Sequence, residues 1–165
     1  MRLATMSMIN AHQGRGGSDV LYLLLKFAHL TAAAFFIGGV FFEVMILSRA
    51  ARSLAAGPRE QLSRALGQRA RRVMHWVILV LFGAGLALAW HYRSVLRDPF
   101  SSSFGSLLVL KICLALSILG HFLFIVVLMR SGRMTPARSR LIHLSVLVQM
   151  LGILFLAKAM FLINW

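Results

Sequence analysis

Nine ionisable side chains lie inside or at the edges of long apolar runs: Lys26, His29, Glu43, His75, His91, Lys111, His121, His143 and Lys158. Ionisable groups are expensive in lipid, so each is a functional candidate by default. Their chemistry is that of imidazole ligands, ammonium groups able to neutralise a bound anion, and one carboxylate. Met74, Met129 and Met150 fall with His75, His121 and His143 in the same half of the spans, and thioether with imidazole is a soft ligand set. No GxSxG or HExxH motif is present, and the single cysteine, Cys113, excludes an internal disulfide and a CxxC site. Between Lys111 and Leu114, Cys113 reads as a small packing residue rather than a thiolate.

These residues are carried by four apolar stretches, residues 20–48, 73–92, 106–129 and 141–165. A bilayer core about 30 Å thick needs about 20 apolar residues in a helix. In lipid an open strand leaves backbone groups unpaired, so the runs are helices. The expected fold class is therefore all-α, an integral membrane four-helix bundle, with residues 1–19 as a flexible N-terminal leader and 20–165 as one four-span domain. The leader ends in GRGGSD and does not resemble a signal peptide, because the following apolar run is too long for one.

Composition agrees. Of 165 residues 59% are hydrophobic and only 13% charged, and the mean hydropathy is +0.82. A soluble domain is closer to a quarter charged. The 18 Lys+Arg against 4 Asp+Glu give a net charge of +14. An excess this large suggests nucleic acid, but a nucleic-acid binder is not this apolar, so no nucleic-acid partner is expected. Basic loops beside an anionic bilayer account for both facts.

The arginines also set an orientation. The first loop carries Arg49, Arg52, Arg59, Arg64, Arg69, Arg71 and Arg72, and the third carries Arg130, Arg133, Arg138 and Arg140. The middle loop has only Arg93 and Arg97, beside Asp98. By the positive-inside rule loops one and three are cytoplasmic and both termini periplasmic, in a multi-pass protein of the bacterial inner membrane. The first loop also suggests a short surface helix after Pro58. Trp90, Tyr92 and Trp165 suit the outer aromatic belt and Trp76 the inner one. The mid-span glycines, including Gly38, Gly83, Gly85, Gly120 and Gly152, read as packing positions.

With about 1.5 Å of rise per residue, the polar side chains fall into two layers. The outer layer is His29 with Lys111 and Lys158, joined by His91 and Lys26. The inner layer is His121 with His75, His143, Met150 and Glu43. His29, Phe36 and Glu43 stand at heptad spacing and so share a face. Haem b suits the outer layer: its iron takes an axial histidine, and its anionic propionates would match the lysines, which have no obvious acidic partners. On this reading His29 is the iron ligand, Lys111 and Lys158 the propionate partners, and His91 the first choice of second ligand by depth. In the competing reading Lys26 and Lys158 snorkel to the headgroups and His29 bonds a neighbouring helix. The inner residues His121, His75, His143 and Met150 are an alternative site for a second haem or for copper. Nine methionines are an ordinary load for such a chain, and between residues 20 and 165 they form no MxxM or MxM array.

The segments LLKFAHLTAAAFFIGGVFFEVMIL, RVMHWVILVLFGAGLALAW, LKICLALSILGHFL and RLIHLSVLVQMLGILFLAKAM resemble the short four-helix CopD-like membrane proteins of bacteria over residues 20–165. The resemblance implies copper resistance or copper passage across the inner membrane. It also implies kinship with HemJ, a haem-b protoporphyrinogen IX oxidase, whose first-helix histidine and third-helix lysine would fall on His29 and Lys111. It departs where the first helix of HemJ continues into Leu-Pro-Arg, against FFEVMILSRA here. A haem-dependent oxidoreductase of that type would take a porphyrin, a quinone or an electron-transfer protein as partner, besides the lipid bilayer and a second copy of the chain. Copper homeostasis is the alternative function, and a cofactor-free structural or assembly subunit is another.

Overall fold

A computed structural model of the chain describes residues 2–133 and 135–163, with side chains from Gly17 onward except that of Pro136. The described residues are helical and form no strand. Four long helices dominate: α1 (Arg2–Phe41), α2 (Ala56–His91), α3 (Ser103–Arg130) and α4 (Pro136–Ala159). Each contains a stretch long and apolar enough to cross a membrane, and the first of these reaches past α1 to Ser53. Large apolar side chains such as Phe35, Trp76, Leu86, Trp90 and Phe155 stand exposed, as they do when lipid is the solvent. The chain is thus a multi-pass helical membrane protein.

The element boundaries differ from the expected ones for local reasons. Helix α1 begins at Arg2, so helical backbone runs through the stretch expected as a leader. The first span does not stay α-helical to its end: Phe42–Leu47 is a π-helical segment, followed by short helical turns over Ser48–Ala50 and Ala51–Ser53. That segment changes the helical phase, because its hydrogen bonds run i to i+5. Phe36, before this segment, is buried, and the Glu43 side chain, within it, is half exposed.

The turn into α2 is pinned by Arg59. Its guanidinium donates to the carbonyls of Ala51, Arg52 and Leu54 at 2.8, 3.0 and 2.9 Å. A cation is favourable there, since the terminal carbonyls of a helix carry partial negative charge. The short surface helix expected after Pro58 is not a separate element: it is the first half of α2 and runs unbroken into the second span. Pro58 sits in the first turn, where a missing N–H is harmless, and the Ala, Leu, Gln and Arg residues that follow favour helix.

Helix α3 starts at the N-cap Ser102, whose hydroxyl accepts from the Gly105 amide at 3.1 Å. It ends in a Schellman turn, with Arg133 N–H bonded to Leu128 O, Gly132 N–H to Met129 O, and Gly132 at φ +66°. Helix α4 starts at the N-cap Thr135, with Pro136 next, and ends at Ala159 rather than running to the terminus. Trp165, expected in the outer belt, lies outside the described residues.

The chain divides into two compact units, residues 1–36 with 69–91, and residues 37–68 with 92–165. In the first, α1 lies against the second half of α2. In the second, α3 and α4 pack most extensively against each other, and the π-helical segment touches α4. Ile118 of α3 and Val146, Leu147 and Met150 of α4 are among the most buried side chains of the second unit.

Candidate functional site

The first unit holds His29 and His91. His29 Nδ1–H donates to the carbonyl oxygen of Leu81 at 2.9 Å. Within α2 that carbonyl is also four residues before Gly85, so the imidazole approaches one helical turn of α2 from outside. The approach needs glycine: a Cβ at Gly85 would stand 3.0 Å from His29 Cε1 and 3.2 Å from Nδ1. A Cβ at neighbouring Gly83 would meet nothing within 4 Å. Of the two glycines in this turn, only Gly85 makes room for the ring. A proton on Nδ1 makes Nε2 the basic ring nitrogen, and a backbone carbonyl on the far nitrogen is the usual means of orienting a metal-ligating histidine.

His91 is placed differently. Its ring lies 4.7 Å from that of Tyr22, whose face is also 5.8 Å from the Lys26 ammonium. The pairs Tyr22 with His91 and His29 with the Leu81–Gly85 turn give α1 and α2 one consistent antiparallel register. His91 therefore stands two turns, about 10 Å along the helices, from the level of His29. Shared depth does not bring these two imidazoles together on one metal. His75, in the same unit, is exposed and donates Nδ1–H to Arg71 O within its own helix at 2.5 Å.

The second unit holds the other candidates. Glu43 Oε1 and His143 Nδ1 are 3.5 Å apart, with side chains 50% and 23% exposed, and the π-helical turn brings the carboxylate to α4. His121 is engaged at both ring nitrogens. Nδ1–H donates to Ser117 O at 2.8 Å, and Nε2 faces Ser145 Oγ at 3.4 Å. Ser145 in turn accepts from Gln149 Nε2 at 3.1 Å. Met150 is 3% exposed. Among the described residues no three His, Cys, Asp or Glu side chains gather into a metal-binding group.

Lys111 is part-buried, Lys158 is exposed, and neither has an ion pair or hydrogen bond to another described residue. Their relative depth follows from the helix register. His121 lies beside Ser145 and Leu114 beside Gly152, where a Gly152 Cβ would stand 3.7 Å from Leu114 Cδ1. That register sets Lys158 beside Leu108, about one turn from Lys111, so the two lysines occupy the same end of the α3–α4 pair. The same end carries the ring contacts Tyr92–Phe104 and Phe104–Phe161, at 5.6 and 6.1 Å.

Two functional candidates escaped the sequence reasoning. Ser145 and Gln149 are uncharged, so a search for ionisable groups passes over them. Their signal is the i, i+4 spacing of two polar residues in the apolar run LIHLSVLVQM, which puts both on one helix face.

No protein-family model, curated protein or solved structure matches the chain. Fold and site define a class only: a multi-pass helical membrane protein with an oriented imidazole in one unit and an imidazole–hydroxyl–amide chain in the other.

Proposed function

We propose that this protein is a CopD-like protein of the bacterial inner membrane that binds haem b and acts in membrane redox chemistry, with His29 as an axial ligand. One observation carries the reading. His29 Nδ1–H is held by the Leu81 carbonyl, and Gly85 leaves room for the ring. This places the proton on Nδ1 and limits rotation of the ring, which supports Nε2 as the nitrogen that would ligate. Haem b, when bound, supplies one-electron chemistry whose potential depends on axial ligand and burial. The chain's own residues orient the ligand and exclude water from it, since the neighbouring helix faces are apolar.

Lys111 and Lys158 enter the proposal through the depth that the sequence alone gives them. Lys111 is the stronger candidate, because it is part-buried without a counter-charge among the described residues, whereas exposed Lys158 is placed to snorkel. Both ring nitrogens of His121 are hydrogen-bonded, which weighs against it as a ligand in the alternative inner site. Loops one and three face the cytoplasm and both termini the periplasm.

The test is His29→Ala. The variant is expected to stay in the membrane as folded protein and to lose its haem. Undiminished haem in folded His29→Ala would remove the assignment.

A further inference from the structure

The chain has four carboxylates, and none is available to the arginines between α3 and α4. Asp19 precedes the first span and Asp98 the third, so both lie across the membrane from the α3–α4 turn. Glu43 faces His143, and Glu60 pairs with Arg64. From Pro99 to the last residue there is no Asp or Glu. A second copy of the chain brings only the same four groups. The counter-charge for this turn must come from another kind of molecule.

The structure also divides the arginines by what they touch. Arg59 is engaged by the carbonyls of Ala51, Arg52 and Leu54, and Arg64 by Glu60. Arg138 Nη1 donates to Arg133 O at 3.0 Å. The side chains of Arg130, Arg133 and Arg140 are exposed and bond to no described residue. The turn that carries them is closed by Arg133 N–H to Leu128 O and Gly132 N–H to Met129 O.

Arg130 and Arg140 each head an exposed apolar stripe. Arg140 shares a face of α4 with Leu144 and Leu151, four and eleven residues on, and Arg130 shares a face of α3 with Val127 and Leu123, three and seven residues back. All four apolar side chains are exposed. The α4 stripe is about 16 Å long, roughly one leaflet of hydrocarbon. Orienting the chain needs only positive charge in the loop. It does not need a guanidinium at the head of each stripe. A phospholipid fits both features, with phosphate oxygens for the guanidinium groups and acyl chains for the stripes. A soluble polyanion fits only the first.

We propose that the α3–α4 turn is a binding site for one anionic phospholipid, with its phosphate on Arg130, Arg133 and Arg140 and its acyl chains along the two stripes. The site lies within one unit and is independent of haem at His29.

Native mass spectrometry of the purified full-length protein, titrated in detergent with dioleoylphosphatidylglycerol or dioleoylphosphatidylcholine, tests this. The two lipids share acyl chains and a phosphate, and only the first has a net charge. Phosphatidylglycerol is expected to bind about tenfold tighter at the first site filled. Arg130→Gln, Arg133→Gln and Arg140→Gln combined are expected to lower its affinity to that of phosphatidylcholine. Arg69→Gln, Arg71→Gln and Arg72→Gln combined remove the same charge from the other unit and are expected to keep the preference. His29→Ala is expected to keep it too, which separates this site from the haem reading. Excess glycerophosphoglycerol, the headgroup without acyl chains, or polyglutamate is expected to leave the lipid bound. Equal affinity for the two lipids, a preference that survives the first triple variant, or its equal loss in the second would overturn the proposal. Displacement by either soluble anion would do the same and assign the turn to a partner outside the bilayer.

Discussion

His29 and Gly85 act as a pair across two helices. A Cβ added at Gly85 falls 3.0 Å from His29 Cε1, closer than a side chain normally tolerates. Gly85→Ala must therefore displace the ring or separate the helices. Overpacking of this kind costs about 1–3 kcal/mol. The variant is expected to melt at a lower temperature and to carry less haem per folded chain, read as the ratio of Soret to protein absorbance. Gly83→Ala, with nothing within 4 Å, is the control and is expected to change neither. An equal effect of the two substitutions would mean that ring packing is not the reason for glycine. At this scale the sequence was partly legible. His29 stands out as an imidazole in an apolar run, but its partner is a backbone carbonyl, which no residue type announces. Gly83 and Gly85 look alike in the sequence, and only the helix register distinguishes them. Ser145 and Gln149 were hidden by their neutrality.

The elements are held at their ends by short-range devices. Gly132 ends α3 with a positive φ, which costs other residues about 1–2 kcal/mol. Gly132→Ala is expected to destabilise by that amount. Thr135→Ala removes the hydroxyl that accepts from Arg138 N–H at 3.3 Å and is expected to cost about 1 kcal/mol. Gly105→Ala is expected to be worse than either, because its Cβ would stand 2.5 Å from the backbone oxygen of Pro99, which is not the movable end of a side chain. Melting midpoints of the three variants in one detergent rank them. Gly105→Ala melting with the wild type would contradict the tight turn seen here. The four apolar runs were plain at this scale because each is far longer than a soluble helix requires. The ends were less plain. The first half of α2 is basic and amphipathic, and nothing in its composition says whether it lies on a surface or continues the next span. The absence of a proline after Pro58 decides for continuation. The π-helical segment at Phe42–Leu47 leaves no residue signature.

For the whole molecule, charge is the organising quantity. Eleven arginines flank loops one and three, and two lie in the middle loop. The positive-inside rule then predicts that, in a Cys113→Ser background, a membrane-impermeant thiol reagent applied to intact cells labels Ser94→Cys and spares Ser63→Cys. The reverse pattern would invert the topology and move His29 to the inner half of the bilayer. Localisation in lipid was legible from composition alone, since 59% hydrophobic content with 13% charge leaves no soluble alternative. The chemistry was not, because a buried imidazole serves equally as ligand, relay or satisfied polar group until its partners are known. The measurement that separates these roles is the absorption spectrum of the detergent-purified protein, oxidised and dithionite-reduced, with iron analysis on the same sample. A Soret band with sharp reduced α and β bands, iron near one per chain, and loss of all of these in His29→Ala is the expected result. A colourless, iron-free protein, purified from haem-replete cells, would contradict the central claim.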